Sequence, residues 1–317
     1  MEIIRGIDHL ARPLVNPVVT LGNFDGVHLG HQKIFERVKE DASKINGESV
    51  VITFEPHPLK VLSPKHCPPL LTPFRKKMML VEKSGIEIVL CIEFSLDFSR
   101  ITPFDFIKNI LVEKVKVRKV VIGFNYHFGK RQMGNVRILK SAGKHFNYEV
   151  EVMDPLEIDH MAVSSSRIRE LIKRGKVEDA AKLLGRDYPI IGRVVQGSKR
   201  GHTIGFPTAN LEISEELYPK TGVYAVEVIW NQQIFNALAN VGFNPTFISV
   251  QKDRSPERSF SVEVYILNFN EEIYGEEIQV NFKRRIRDEV RFDSPSQLIE
   301  QIEKDIRWAK ENVFGKT

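Results

Sequence analysis

The chain changes texture once, near Gly185, and that change constrains its fold more than any single motif. Before it, apolar β-branched runs at 18–21, 49–54, 86–92 and 117–122 alternate with helix-like patterns at 32–45, 73–84, 102–114 and 135–146. Runs that are apolar throughout suit strands buried on both faces, so the alternation predicts a parallel sheet covered by helices. Helical patterns at 167–174 and 177–184 each end at a glycine, Gly175 and Gly185, a residue suited to the left-handed position past a helix end. Beyond Gly185, segments such as 224–230 and 261–267 alternate every second residue between short Gly, Pro and Asn turns. These predict an antiparallel sheet or barrel. A last amphipathic stretch, 296–312, carries Leu298, Ile302, Ile306 and Ala309 on one face of a closing helix. The 317 residues suffice for two domains with separate cores, expected at 1–185 and 186–317.

Composition narrows the function classes. Hydrophobic residues make up 42% and charged residues 27%, as in an ordinary globular protein. There is no long uncharged apolar run, and residues 1–17 lack the order of a signal peptide, so neither membrane insertion nor secretion is expected. Cys67 and Cys91 have no metal-ligand spacing and fit a reducing cytoplasm. The net charge of +5 suits phosphorylated small molecules as well as nucleic acid. A solvated lysine-rich surface explains most of it.

The first predicted strand leads into Gly22-Asn23-Phe24-Asp25-Gly26-Val27-His28-Leu29-Gly30-His31. Two histidines thus stand where a strand hands over to a helix, whose free N–H groups and dipole attract anions. Imidazoles there can hydrogen-bond phosphate oxygens and stabilise charge growing during phosphoryl or nucleotidyl transfer. Gly30 removes a side chain, so a polyanion can approach the backbone. Pro56-His57-Pro58 and Gly123-Phe124-Asn125-Tyr126-His127-Phe128-Gly129 follow later strands, at the carboxyl edge where such sheets bind ligands. Ser164-Ser165-Ser166 read as a helix cap, with Arg169 facing an anion. Taken singly, these residues admit other readings. His28, His31 and His57 could ligate a metal with Asp25; His57 could be structural; the serines could cap beside a solvated arginine. No Gly-x-x-x-x-Gly-Lys-Ser/Thr loop occurs, which excludes a P-loop enzyme.

In the second half, Thr208 and Asn210 lie two apart on an extended segment after the basic loop Gly197-Ser198-Lys199-Arg200-Gly201-His202. They project to one side and could hold magnesium or a phosphate oxygen, or simply cap a turn. Glu263 sits in an alternating strand, where such a residue reads as solvent-facing.

Together these segments resemble the bacterial bifunctional riboflavin kinase/FAD synthetases over nearly the whole chain. The N-terminal match lies in residues 22–31, Thr53-Phe54-Glu55-Pro56-His57-Pro58, residues 123–129 and 164–169, then Leu171, Gly175, Ala180 and Leu183-Leu184-Gly185-Arg186. The C-terminal match lies in 192–211, 219–225, 240–247, 261–269, Tyr274-Gly275 and 282–292. The resemblance implies a Rossmann-like α/β nucleotidyltransferase domain of the His-x-Gly-His superfamily, then an antiparallel β-barrel riboflavin kinase domain with a C-terminal helix. It implies phosphorylation of riboflavin to FMN in the barrel and adenylylation of FMN to FAD, releasing pyrophosphate, in the first domain. His28 and His31 would steady ATP phosphates as the FMN phosphate attacks. Gly22, Phe24, Gly30, His57, Asn125, Ser165 and Arg169 would complete the nucleotide site, Ser165 and Arg169 holding pyrophosphate. In the kinase, Thr208 and Asn210 would bind Mg²⁺ and ATP phosphates, and Glu263 would deprotonate the ribityl 5′-hydroxyl. Gly197, Lys199, Gly205, Pro207 and Arg287 would contact ATP or flavin; 199–202 and 244–258 would be mobile flaps. The chain departs from the family pattern at Ser166, where threonine is usual, and at His202, where arginine is usual.

The expected partners are therefore riboflavin, FMN, FAD and ATP, with Mg²⁺, in the cytoplasm, and neither nucleic acid nor membrane. One rival is a protein with a single live site. Another is a basic RNA-binding or regulatory protein reusing the His-x-Gly-His fold; against it, there is no Lys-Met-Ser-Lys-Ser-like loop and no aromatic-basic interleaving.

Overall fold

The computed structural model describes residues 1–197, 205–213, 217–244 and 259–315. These form two compact units, Met1–Ser165 and Ser166–Thr317.

The first unit is built on Glu2–Arg5 (β1), Val18–Leu21 (β2), Ser49–Glu55 (β3), Ile88–Glu93 (β4) and Lys119–Gly123 (β5). A two-stranded ribbon, His127–Phe128 (β6) with Gly134–Asn135 (β7), precedes Glu149–Met153 (β8). The six-stranded sheet runs β1-β4-β3-β2-β5-β8, every pair parallel. Succession runs from β2 outward to β3 and β4, then jumps to β5 and β8, so the direction of winding switches between β2 and β5. At such a point the crossover connections part and leave a crevice at the strands' carboxyl ends.

Alternate residues of the central strands feed two cores, which is why the strands read as unbroken apolar runs. On one face Val18, Val51, Val89 and Val121 meet Phe35, Val38 and Ala42 of Leu29–Lys44 (α1). After the single turn Pro58–Leu62 (α2), helix Phe74–Lys83 (α3) adds Met78 and Val81 to that face. On the other face Val19, Ile52, Leu90 and Val120 meet Phe106, Ile107 and Leu111. These last belong to the helix that starts at Pro103–Asp105 (α4) and widens into a π-helix over Phe106–Lys114. Val136–Phe146 (α5) contributes Leu139. A short ribbon, Glu157–Ile158 (β9) with Met161–Ala162 (β10), ends the unit.

Helix Ser165–Lys173 (α6), which belongs to the second unit from Ser166 onward, and Val177–Leu184 (α7) precede the barrel. The Lys220 amide donates to the Ile172 carbonyl at 3.2 Å, and Arg284 meets Glu178 at 2.9 Å. These two helices therefore group with the barrel here, whereas the sequence reading places them before a boundary at 185/186. The barrel comprises Tyr188–Val195 (β11), Ala209–Ile213 (β12), Gly222–Trp230 (β13), Gln233–Asn244 (β14), Ser259–Ile266 (β15) and Glu277–Arg287 (β16). It closes in the order β11-β12-β15-β14-β13-β16, all pairs antiparallel. Val262, Val264 and Ile266, like Ile278, Val280 and Phe282, are buried at alternate positions. Pro295–Asn312 (α8) packs Ala309 and Ile306 over Ala225 and Leu238. The expected parallel α/β domain, antiparallel barrel and closing helix are all present.

Candidate active sites

Helix α1 begins at Leu29, three residues before the start expected at 32, because His28 caps it. The His31 amide donates to His28 Nδ1 at 3.3 Å. With Nδ1 accepting, the proton of neutral His28 resides on Nε2, which is then a donor. The two imidazoles stack at 3.5 Å between centroids and 19° between planes. Phe24 packs edge-on to His31 at 5.2 Å. Gly22 lies against the Phe24 ring. A Cβ on Gly30 would stand 3.2 Å from His28 Nδ1, so glycine keeps that ring in place.

The loop's shape is held by side chains arriving from elsewhere. Asp25, 5% exposed, accepts hydrogen bonds from the Leu71 and Thr72 amides, each at 3.0 Å, and from the Thr72 hydroxyl at 3.2 Å. The Thr72 hydroxyl in turn accepts from the Gly26 amide at 3.0 Å. Three loop carbonyls receive side-chain donors: Asn23 from Lys77 at 3.2 Å, Asp25 from Ser165 at 2.8 Å and Val27 from Gln32 at 2.8 Å. Carbonyl dipoles that would repel a polyphosphate are thereby neutralised.

His57 caps α2, its Nδ1 accepting from the Leu59 amide at 3.2 Å. Its Nε2 lies 3.4 Å from the Asn23 side-chain amide, which ties the end of β3 to the loop. Gly123, at the end of β5, would bring a Cβ 3.9 Å from Ile34 of α1 and 3.8 Å from the Asn125 amide oxygen. Asn125 is exposed. Gly22, Phe24, His28, Gly30, His31, His57, Asn125 and Ser165 thus all come to the carboxyl edge of β2, β3 and β5, beside the switch in winding. The serine run behaves differently from a simple cap: Ser165 is already helical, and its hydroxyl serves the Asp25 carbonyl. Arg169 lies on α6, buried, in the second unit. The metal-binding alternative loses its carboxylate, since Asp25 is engaged by Leu71 and Thr72. Among the described residues no group of three His, Cys, Asp or Glu side chains is arranged to hold a metal.

The second site follows from β-register. Asn210 on β12 lies directly opposite Glu263 on β15, which lies directly opposite Asn240 on β14. Directly opposed residues share a face, with Cβ atoms about 5 Å apart. Because Val262 and Val264 point inward, Glu263 and both asparagines stand on the outer face, half-buried. The row continues from Asn240 to Val223 and from Val223 to Arg287. Gly197 approaches so closely that a Cβ there would fall 2.1 Å from Asn210 Nδ2. Thr208 immediately precedes β12 and is half-buried; Gly205 and Pro207 are exposed. Arg287 gives its guanidinium to Asp305 of α8 at 2.8–3.0 Å, with the Phe292 ring 5.9 Å away. Lys199, His202 and segment 245–258 lie outside the described residues. Sequence reasoning did not assign Asn240 a role; its signal is a polar residue inside the apolar run Ala237-Leu238-Ala239-Asn240-Val241. It also missed Lys77, which falls on the apolar stripe of α3 with Phe74, Met78 and Val81.

Residues 12–167 match the FAD synthetase family model and residues 184–313 match the riboflavin kinase model. Full-length relatives carry the description bifunctional riboflavin kinase/FMN adenylyltransferase. One from Buchnera aphidicola is 39% identical, covering 98% of each chain; one from Listeria monocytogenes is 41% identical, covering 92% of this chain and 90% of its own. The Escherichia coli K12 relative is 34% identical, covering 100% and 99%. A crystal structure of a Streptococcus pneumoniae protein described as a macrolide-efflux protein superposes with a TM-score of 0.88. It is 34% identical, with 98% and 99% of the two chains covered. Among the described residues of the present chain, no helix is long and apolar enough to cross a membrane. The chain belongs to the bifunctional riboflavin kinase/FMN adenylyltransferase family, with an FAD synthetase domain N-terminal and a riboflavin kinase domain C-terminal.

Proposed function

We propose that the loop at 22–31 carries adenylyl transfer and that the outer face of the barrel carries riboflavin phosphorylation. The observation supporting two separate sites is that the imidazole pair and the Asn210–Glu263 pair belong to different compact units. In the first, an FMN phosphate oxygen attacks the α-phosphorus of ATP and pyrophosphate leaves. The attacking group is already anionic, so positioning and charge stabilisation suffice and no protein base is needed. His28 and His31 donate to phosphate oxygens, Gly22, Phe24, Gly30 and His57 shape the cradle, and Asn125 orients the reactants. Ser165 steadies the loop through the Asp25 carbonyl.

In the second site Glu263 takes the proton of the riboflavin 5′-hydroxyl as that oxygen attacks the γ-phosphorus of ATP, and ADP leaves. The Thr208 hydroxyl, the Asn210 amide oxygen and the neighbouring carboxylate are hard oxygen donors, which suit Mg²⁺. When bound there, Mg²⁺ offsets charge on the transferring phosphoryl group. Gly197, Lys199, Gly205 and Pro207 serve the ATP side. Arg287, held by Asp305, orders the flavin side. The functional boundary is set at 185/186. Neither Cys67 nor Cys91 is in a disulfide, which supports work in the cytoplasm; the substrates are riboflavin, FMN, FAD and ATP, without a nucleic-acid or membrane partner.

The test is to supply riboflavin or FMN with ATP and Mg²⁺ and follow flavins by chromatography. His28→Ala is expected to abolish FAD formation and spare FMN formation; Glu263→Ala is expected to do the reverse when FMN is supplied. Loss of both activities in either variant refutes the two-site assignment. An RNA affinity above the flavin affinity would favour the nucleic-acid rival.

A further inference from the structure

Lys77 lies inside the first unit, 6% exposed. Its Nζ donates to the Asn23 carbonyl at 3.2 Å and to the Thr53 hydroxyl at 3.3 Å, and stands 5.6 Å from the centre of the Phe74 ring. Both acceptors are neutral oxygens. An ammonium buried on such terms is costly, by several kcal/mol, unless an anion compensates it. Asp25, two residues from Asn23, is occupied by the Leu71 and Thr72 amides, and Glu55, two residues from Thr53, acts on Lys77 as a nearby charge rather than as a hydrogen-bond partner. The charge therefore sits against the phosphate loop with no dedicated partner among its hydrogen bonds.

The contact is also mechanical. Asn23 is held at two ends, its carbonyl by Lys77 and its side-chain amide beside His57 Nε2. Releasing the carbonyl would free Asn23, loosen His57 and turn a bare carbonyl dipole toward incoming phosphates. Burial lowers the affinity of Lys77 for its proton, while Glu55, Cys91 and Asp25 oppose that effect. These groups, from β3, β4 and the loop, face it together with Phe74, over whose ring Arg5 of β1 also lies.

We propose that Lys77 is a positioning residue for adenylyl transfer, its buried ammonium fixing the Asn23 carbonyl inward and presenting fixed positive charge to the ATP phosphates. The proposal rests on the assignment of the 22–31 loop to that reaction.

The experiment compares Lys77→Met and Lys77→Arg in the full chain, measuring FAD formation from FMN and ATP across pH. The riboflavin kinase activity of the same molecule reports folding. Lys77→Met is expected to lower kcat/KM for FAD formation by about 10- to 100-fold with kinase activity unchanged, the cost of a misplaced loop and a lost charge. Lys77→Arg, which keeps the charge, is expected to retain activity within a few-fold. It should also shift the alkaline fall in FAD formation to higher pH. Full activity in Lys77→Met, or an alkaline limb unmoved in Lys77→Arg, overturns the proposal. If Lys77→Met unfolds the first unit, the Lys77→Arg limb decides alone. A full loss in His28→Ala beside full activity in Lys77→Met removes the role of Lys77 only, whereas an unaffected His28→Ala removes the loop assignment itself.

Discussion

The two sites are assembled on opposite plans. The loop proposed for adenylyl transfer is ten consecutive residues, bent into shape by side chains from β3, α1 and α3, by Ser165 and by the segment at Leu71–Thr72. The polar row proposed for the kinase, Asn210, Glu263 and Asn240, takes one residue from each of three strands and inherits its spacing from the backbone ladder. A loop of the first kind stays in position only while its buried polar contacts stay paired. A row of the second kind keeps its position even when a member is changed, since the ladder is indifferent to outward-facing side chains. Chemistry and stability should therefore separate in the barrel and fall together in the loop.

The sharpest way to break that contrast is Glu263→Gln. It is expected to reduce kinase turnover by about 10²- to 10⁴-fold, the usual share of a general base. Its denaturation midpoint should change by no more than about 0.5 kcal/mol equivalent, as for an outward-facing substitution. A large loss of stability would mean the row is structural. Asp25→Ala tests the other plan. It strands the buried Leu71 and Thr72 donors, and should cost about 3 kcal/mol in chemical denaturation together with FAD formation. Gly197→Ala is a milder probe of the barrel. Its new methyl must displace the Asn210 amide, and kinase kcat/KM should drop about tenfold or more while FAD formation from FMN is untouched.

The smallest effect concerns the anchoring of α1. Burial pushes the Asp41 carboxyl up, but hydrogen bonds from Lys119 and Lys44, with the charges of Lys119 and Arg37, outweigh it and hold the group at about 2 against an ordinary 3.8. A carboxylate whose folded value is depressed stabilises above its unfolded value and loses that contribution as pH falls through the folded one. The first unit should therefore weaken between pH 3.8 and about 2. Lys119→Met should be less stable at neutral pH, with a shallower decline across that interval, as measured by tryptophan-independent circular dichroism melts.

What could be read from the amino acids follows the same division. The four central strands of the first unit announce themselves because both faces are covered. Glu2–Arg5 does not, being exposed at three of its four positions, and Glu149–Met153 is fully buried at none. Helix α7 has the expected limits because Gly185 closes it at φ 72°. Helix α1 starts earlier than its stripe because a histidine, rather than a serine or aspartate, caps it. The ten-residue loop is legible since its parts are neighbours in sequence. Lys77 and Thr72 are not, because a buried lysine on a helix stripe reads as an exception to the pattern rather than as a support for a distant loop. Asn240 joins Glu263 only through strand pairing, a relation that residue order does not express.

The barrel's closure carries one more consequence. A ring of six paired strands has no unpaired rim of amides and carbonyls onto which another polypeptide could add a strand. The open sheet has two such rims, at β1 and β8, guarded by Glu2, Arg5, Glu149 and Glu151. Clumping during refolding or long storage should therefore start from the N-terminal half, and charge-removing substitutions at those four positions should hasten it.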